Sequence, residues 1–263
     1  MKSGVAILVL MVAGSAFAGL TYEVQTQSNG AASVGVSGRV VLDGTHLRMD
    51  VVKGDSMMFN DGAIVLSSDG GQTMSVYDPA AKHYYDLRLD SMLSSAMSML
   101  QAAGTGLKVS FSNPQVSVRD GGDGGTLDGY PTHRYVIDAS YDITLDAMGN
   151  KMNMHTTMTT ESWTTDRIST EFLPFIQMHG IHTGIAALDT MLDAQRSAVK
   201  GFPLKQVSTV HSGRLGQEAM TIVNTVTVSH VQEKAIDPAQ FTSPAGYTKV
   251  DDPITAMLGK LKM

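Results

Sequence analysis

Residues 148–165 read MGNKMNMHTTMTTESWTT, and this stretch holds the clearest pattern in the chain. Because successive side chains of a strand point to opposite faces of a sheet, residues with even numbers share one face and residues with odd numbers share the other. The even face then carries four methionines: Met148, Met152, Met154 and Met158. The odd face carries polar residues: Lys151, Asn153, His155, Thr157 and Glu161. The pattern predicts a strand over Lys151–Thr165 with one apolar face and one polar face.

Working outward, the residues before this strand show shorter runs of the same type. The runs are separated by turn sequences such as Asp43-Gly44 and Asn60-Asp61-Gly62, which are rich in residues that tolerate positive φ. Six strands are predicted in this part of the chain: Thr21–Gln27, Val34–Asp43, His46–Lys53, Ala63–Ser68, Thr73–Tyr77 and Lys82–Leu87. Strands joined by such short turns form an antiparallel meander.

The remaining strands are predicted around the methionine-bearing one. They are Leu107–Phe111, Gln115–Arg119, Thr132–Asp146, Leu204–His211 and Glu218–Val231. The Gly- and Asp-rich run Asp120–Gly125 is interpreted as a flexible loop, because a single copy of a calcium-binding type of repeat cannot build a stacked site.

Helices are predicted where apolar residues recur at steps of three and four. One such stretch runs from Asp90 to Gly104 and another from His182 to Lys200, and a short helix is expected over Ile254–Met263. Because these helices are segregated from the strands, the fold class is α+β, with a curved antiparallel sheet covered by helices on one face. No change of composition marks a linker, so residues 19–263 are expected to form a single domain.

The first 18 residues have the features of a secretory signal peptide. Lys2 supplies a positive charge, Val5 to Ala13 form an apolar run, and Ala16-Phe17-Ala18 offer small residues for cleavage. The run is shorter than the roughly 20 residues that cross a bilayer, and no later run is longer. We therefore expect export, to the periplasm in a Gram-negative bacterium, and no membrane-spanning segment.

Composition argues against several classes of function. The chain has 19 Lys and Arg against 25 Asp and Glu, a net charge of -6, which disfavours a nucleic-acid partner because phosphates are neutralised by basic residues. There is no Cys, hence no disulfide, thiolate metal site or thiol nucleophile. No nucleophile-elbow or phosphate-loop motif is present. The sequence therefore predicts a protein that is not an enzyme and has no cofactor.

Methionine is abundant, with 18 residues. Its flexible, polarizable side chain suits a cavity that accepts hydrophobic ligands of irregular shape. The candidate ligand-binding residues lie on the long strand and on the two longer helices: Met92, Leu93, Met97, Leu100, Met152, Met154, Met158, Leu188, Met191 and Leu192. The same spacing would bury a helix against a sheet, so a solid core is an equal alternative at this stage.

Copper binding is a further interpretation of the same strand. Thioether and imidazole groups are ligands suited to Cu(I), and His155 lies among the methionines. A strand turns His155 away from Met152, Met154 and Met158, which argues against a site built on this stretch.

Three stretches resemble uncharacterised periplasmic domains that are similar to the outer-membrane lipoprotein carrier superfamily. The first comprises Gly44–Val51, Ile64–Leu66, Met74–Pro79 and Lys82–Tyr85, the second is Gly201–Lys205, and the third is Val231 with Ile236–Phe241 and Pro244–Tyr247. The resemblance covers most of the chain after residue 18. It implies an unclosed, strongly curved half-barrel whose concave face is covered by helices and, in related carriers, receives acyl chains.

These observations lead to a hypothesis with two competitors. The leading hypothesis is an exported, non-catalytic protein that binds a lipid, an acyl chain or another hydrophobic molecule between its sheet and helices, with a lipoprotein or other envelope protein as a partner. The competitors are an envelope structural or protein-interaction module with a solid core, and a soft-metal binding protein.

Overall fold

A computed structural model describes residues 19–29, 35–55, 58–88, 107–169, 185–214, 220–253 and 255–256. Within them, twelve strands form one strongly curved, unclosed sheet in the order β12-β6-β5-β4-β3-β2-β1-β11-β10-β9-β8-β7. The strands are β1 Gly19–Ser28, β2 Gly35–Asp43, β3 His46–Gly54, β4 Ile64–Ser67, β5 Thr73–Asp78, β6 His83–Arg88, β7 Leu107–Leu127, β8 Tyr130–Ala147, β9 Asn150–Thr165, β10 Phe202–Arg214, β11 Met220–Lys234 and β12 Thr248–Lys249. All neighbours are antiparallel except β12 and β6. The predicted curved antiparallel sheet is confirmed.

Strands β1 to β6 form the meander that the turn sequences predict. Alternation places Leu20 and Tyr22 on the same face of β1, and their partners in β2 are Leu42 and Val40. We call this face the inner face. It packs on the start of β10, where Phe202 and Leu204 are fully buried. A second apolar group continues along it from β3 to β6: Val51, Val65, Val76 and Leu87.

Strands β7 to β11 are longer, and tight turns join β7 to β8 and β8 to β9. Asp128-Gly129 and Met148-Gly149 both take positive φ at both residues, which matches the twist of antiparallel hairpins. Strand β11 pairs with β1, so the inner face continues from Thr26 through Val226 and Gln206 to Ser162 on β9.

Two sequence predictions in this half are wrong. Residues Asp120–Gly125 are part of β7 and not a loop, because the ladder to β8 absorbs the extra residues in bulges, and the carboxylates of Asp120 and Asp123 accept from the amides of Gly122 and Gly125. Met148 does not share a face with the other methionines. It occupies the turn with φ 52° and is 83% exposed, since a turn residue has no place in the alternation of a strand.

The longest α-helix among the described residues, α1, spans Ala186–Ala198, inside the predicted range of 182–200. It packs on β7 and, together with residues of β8 to β10, borders a cavity. The helix predicted from Asp90 to Gly104 lies outside the described residues, and so does most of the one predicted over 254–263. After β11 the described residues contain the 3₁₀-helix Pro238–Phe241, capped by Asp237, strand β12, and helical backbone at Pro253, Thr255 and Ala256, the last two within the range predicted for the C-terminal helix. No helix in the described part is long and apolar enough to cross a bilayer.

Candidate functional site

The candidate site is a cavity of 250 Å³ between α1 and the inner face of β8, β9 and β10. Apolar and polar side chains both line it. The lining residues are Ile137 and, on β9, Met158 and Thr160; Leu192, Gln195, Arg196 and Val199 on and just after α1; and Gly201, Pro203, Gln206 and Ser208 at and on β10. The cavity therefore has a sheet floor and a helix roof.

The floor is built by strand register. Thr160 of β9 lies between Ile137 of β8 and Ser208 of β10. Two residues along β9, Met158 lies between Ala139 and Val210 in the same way. Because residues paired directly across antiparallel strands point to the same face, these side chains form two adjacent rows beneath the helix.

Hydroxyl groups of the floor are paired with each other. The Oγ atoms of Thr160 and Ser208 are 2.6 Å apart, and the Gln206 amide donates to Ser162 Oγ over 3.5 Å. A further pair, Thr156 and Ser212, lies 3.0 Å apart toward the other end of β9. A buried hydroxyl without a partner costs about 1–3 kcal/mol, so this pairing is what allows polar residues on the inner face.

The roof is one stripe of the helix and its exit. Leu192, Gln195, Arg196 and Val199 follow at steps of three, one and three residues, which places them on one side of α1. The side chain of Arg196 is 15% exposed, and its Nη1 lies 3.1 Å from Asp193 Oδ1. The amide nitrogen of Gln195 is buried and has no hydrogen-bond partner among the residues that the structure describes.

The structure brings together part of the predicted site. Met158 and Leu192 line the cavity. Met191 is buried and Leu188 half-buried on α1, without lining the cavity. Met152 and Met154 share the face of Met158 but are half-buried opposite Leu145 and Ile143 of β8, away from the cavity. Four predicted residues lie outside the described ranges: Met92, Leu93, Met97 and Leu100.

The even face of β9 is also less apolar than its methionines suggest. Its most buried residues carry hydroxyl groups: Thr156, Thr160, Ser162 and Thr164. The sequence prediction did not include them, because threonine and serine carry no apolar signal of burial. Strand alternation alone would have placed Thr160 beside Met158, and the helical spacing from Leu192 would have identified Gln195 and Arg196.

Strand geometry separates the groups that a copper site on β9 would need. His155 lies on the outer face, where its Nδ1 is 2.6 Å from Asp142 Oδ1. Hydrogen bonds from Asn113 and from His155 hold the pKa of the Asp142 carboxyl below its usual range. Met152, Met154 and Met158 lie on the inner face. No group of three or more His, Asp or Glu side chains in the described ranges is arranged to hold a metal ion.

On the outer face of the sheet, opposite the cavity floor, Trp163 contacts side chains of the neighbouring strands. The Lys205 ammonium and the Arg134 guanidinium lie 5.0 and 5.7 Å from its ring centres, and Arg134 also pairs with Glu161 at 2.6 Å. The contact with β7 requires a glycine, because a Cβ at Gly124 would lie 2.8 Å from Trp163 Cδ1. These contacts tie β7, β8, β9 and β10 together behind the cavity.

A larger depression of 530 Å³ lies at the far ends of β1, β2, β3 and β11. Polar side chains dominate its lining, with Gln25, Gln27, Ser37, Lys53 and Asp55 among them. We place the candidate site at the 250 Å³ cavity beneath α1. A polar, open depression offers a hydrophobic ligand little apolar surface to bury.

A third cavity, of 200 Å³, lies on the inner face of β5 and β6 and is walled on one side by Val250, Asp251 and Pro253 of the C-terminal tail. Tyr85 donates its hydroxyl to the Met58 carbonyl there. Burial, with the nearby Asp78 and Asp252 charges, raises the pKa of Tyr85 to about 12. This cavity is smaller and carries carboxylates in its wall, so it is a poorer match for a hydrophobic molecule.

Comparison with known proteins gives matches in structure only. No family model matches the chain, and no curated protein matches it. Among solved structures, an uncharacterized conserved protein from Thermus thermophilus is similar over 90% of this chain and 91% of that chain, with 10% identity and a TM-score of 0.40. A LolA superfamily protein from Nitrosomonas europaea is similar over 87% of this chain and 91% of its own, with 9% identity and a TM-score of 0.32. TM-scores this low carry no argument about function. The functional proposal therefore rests on the cavity beneath α1.

Proposed function

We propose that this protein binds a hydrophobic small molecule, such as an acyl chain, in the cavity between α1 and the inner face of the sheet, without changing it chemically. The observation that carries the proposal is the cavity itself. Its 250 Å³ hold about eight heavy atoms, at roughly 30 Å³ each, the share of one water in the liquid. That is the volume of a short alkyl segment.

The lining supports an apolar ligand. Ile137, Met158, Leu192, Val199 and Pro203 offer apolar surface, and each Å² of apolar ligand surface removed from water contributes roughly 25 cal/mol. Met158 adds a flexible side chain that adapts to ligands of different shape.

The lining also favours binding over catalysis. Arg196 is the only ionisable residue among those that the structure describes around the cavity. Because a guanidinium stays protonated in proteins, it cannot exchange a proton with a substrate. The described wall of the cavity thus offers no general acid or base.

Export and an envelope partner belong to the same proposal. Residues 1–18 have the composition of a signal peptide, and the stretches around Gly201–Lys205 and Asp237–Tyr247 resemble lipoprotein carriers. Sequencing the N-terminus of the protein recovered from a periplasmic extract tests this directly. A chain recovered there that starts at Gly19 is the expected result, and an intact Met1 in the cytoplasmic fraction would contradict it.

Methionine methyl groups provide a direct test of binding. In a ¹³C-methyl NMR titration with octanoate, the Met158 resonance, assigned by a Met158→Leu variant, is expected to shift and saturate. The matched control is the Met148 methyl, which is 83% exposed and should not move. Leu192→Trp should fill the cavity and abolish the shift, whereas Met148→Trp should preserve it.

The competing functions predict other results. A module with a solid interior predicts no saturable shift at Met158 with octanoate or with octane, and no amphiphile in native mass spectra of the purified protein. Either finding, on a folded sample, counts against the proposal. Cu(I) binding that is lost on replacing Met152, Met154 and Met158 would favour the soft-metal interpretation instead.

A further inference from the structure

The polar depression of 530 Å³ is a trough on the outer face of the sheet. Even positions of β1, β2 and β11 face inward, and most residues that line the trough have odd numbers. Its floor consists of small residues of β2, Gly35 and Ser37. Longer side chains flank them: Gln27 and Gln25 of β1 are their strand partners on one side, and Lys53 of β3 pairs with Ser37 on the other. We call this feature the polar trough.

One wall of the polar trough carries two opposite charges. The amide of Asp55 donates to the Gly35 carbonyl over 3.1 Å, so the chain after β3 continues along β2 and places Asp55 two residues beyond Lys53 on the same face. At about 3.3 Å per residue, the two Cα atoms lie roughly 6.6 Å apart. Both residues are exposed, and neither side chain has an ion-pair or hydrogen-bond partner among the residues that the structure describes. An ammonium and a carboxylate are thus both free to bind a ligand.

Neutral hydrogen-bonding groups of the trough are also unused. The side-chain amides of Gln25 and Gln27 and the hydroxyl of Ser37 have no partner in the described part of the chain. Each glutamine amide has donors and an acceptor, which is the pattern that a peptide group complements. Because these side chains stand on paired strands, their backbone positions are fixed before a ligand arrives.

We propose that the polar trough binds a short zwitterionic peptide, with its ammonium group beside Asp55, its carboxylate beside Lys53 and its peptide group hydrogen-bonded to Gln25 or Gln27. The termini of an extended dipeptide are about 3.3–3.6 Å apart per residue, which matches the spacing of Asp55 and Lys53. The 530 Å³ hold about 17 heavy atoms at roughly 30 Å³ each, enough for a dipeptide with small side chains. This site is separate from the cavity beneath α1 and does not depend on what that cavity binds.

The test compares four probes that differ only in their terminal charges: dialanine, N-acetyl-dialanine, dialanine amide and the neutral N-acetyl-dialanine amide. Each is titrated against the protein while the ¹H–¹⁵N resonances of the Gln25 and Gln27 side-chain amides are followed, assigned by Gln25→Ala and Gln27→Ala. Dialanine should shift them and saturate. Blocking either terminus should weaken binding about three- to ten-fold, because hydrogen bonds to charged groups are stronger than neutral ones.

Two charge variants assign the orientation of the peptide. Asp55→Asn should weaken dialanine and dialanine amide, which both carry the ammonium, and leave N-acetyl-dialanine unchanged. Lys53→Gln should weaken dialanine and N-acetyl-dialanine and leave dialanine amide unchanged. The matched controls are Asp166→Asn and Lys151→Gln, which remove the same charges at exposed positions on or beside β9 and should alter the binding of no probe.

A steric variant tests the location. A Cβ at Gly35 would meet only the Thr26 carbonyl oxygen, at 3.6 Å, an ordinary van der Waals contact. Gly35→Leu should therefore fold, as far-UV circular dichroism verifies, while its side chain fills the floor and abolishes the dialanine shifts.

Three results would overturn the proposal. The first is the absence of any saturable shift of the Gln25 and Gln27 amides with dialanine. The second is binding of N-acetyl-dialanine amide, or of the neutral polyol trehalose, as tightly as dialanine, since the terminal charges would then not be recognised. The third is an equal effect of each charge variant on all four probes.

Discussion

The two halves of the sheet use their inner faces differently. In β1 to β6 the most buried inner residues are aliphatic, as at Leu20, Leu42, Val65 and Val76, and they pack against one another. On β9 the buried inner positions are threonine and serine, some of them hydrogen-bonded to serines of β10, with methionines on the same face, while the neighbouring strands add apolar residues such as Ile137 and Leu204. The aliphatic residues form two tight clusters, and the 200 Å³ cavity that Ala63 and Val76 border carries Asp78 and Asp251 in its wall. A face whose polar groups satisfy one another can border an open cavity, because it does not depend on being covered completely.

Removing a core side chain from the first half should have the largest effect. Leu42→Ala deletes a fully buried leucine, and we expect the free energy of unfolding to fall by about 3–4 kcal/mol. Met154→Ala, at a half-buried inner position of β9, should cost about 1 kcal/mol, in proportion to the smaller area it buries. Urea denaturation with unchanged m values measures both. Equal losses would contradict the distinction between the tight aliphatic clusters of the first half and the methionine-bearing face of β9.

Packing behind the cavity can be disturbed from the outer face. Gly124→Ala would place a Cβ 2.6 Å from Thr132 Oγ1 and 2.8 Å from Trp163 Cδ1, and overpacking of this kind costs about 1–3 kcal/mol. Trp163 is the only tryptophan, so its emission spectrum reports the displacement directly. Because the change is on the outer face, octanoate should still shift the Met158 methyl. Loss of that shift in a folded variant would show that the two faces are coupled.

Much of this arrangement could be predicted from residue patterns. Turn sequences located the six strands of the meander, and the even positions of 152–158 correctly placed three methionines on the inner face. The loop predicted at Asp120–Gly125 was wrong because glycines that break a short strand are absorbed as bulges in a long one, where the Asp120 and Asp123 carboxylates satisfy the freed amides. Strand β12 was missed because two residues carry no periodicity, and its pairing depends on contacts such as Lys249 with Asp86.

The cavity itself was beyond prediction from one sequence. Whether Met158 and Leu192 enclose a space or touch is decided by the distance between α1 and the sheet, and that distance follows from every side chain in between. Of the ten predicted residues, the sequence placed Met158 and Leu192 on the strand face and the helix that border this cavity. It left the hydroxyl-bearing floor unnoticed, although Thr160 and Ser162 follow the same even numbering as the methionines.

The paired hydroxyls of the floor provide a sharper test of the comparison. Thr160→Val keeps the shape of the side chain but leaves Ser208 without its partner at 2.6 Å, which should cost about 1–2 kcal/mol. In the double variant Thr160→Val with Ser208→Ala, both polar groups are gone, and part of the loss should be recovered. A double-mutant cycle by urea denaturation yields the coupling energy. Additive losses would mean that the pair does not stabilise the floor.

The smallest expected effect concerns pH and lies in the first half, at the turn after β5. Asp78 accepts hydrogen bonds from the amides of Ala81 and Ala80 and from the Asn60 side chain, and these bonds lower the pKa of its carboxyl. A carboxyl whose pKa is lower in the folded state stabilises the fold above its unfolded pKa of about 3.9, and this contribution is lost as pH falls through the folded value. Unfolding free energy measured between about pH 5 and pH 2 should therefore fall less steeply in Asp78→Asn than in the wild-type chain. The floor of β8 to β10 has no ionisable side chain among its described lining residues. Thr160→Val should therefore lower the unfolding free energy by the same amount at every pH and leave its slope against pH unchanged. A Thr160→Val profile with a different slope would mean that a titrating group acts on the cavity floor.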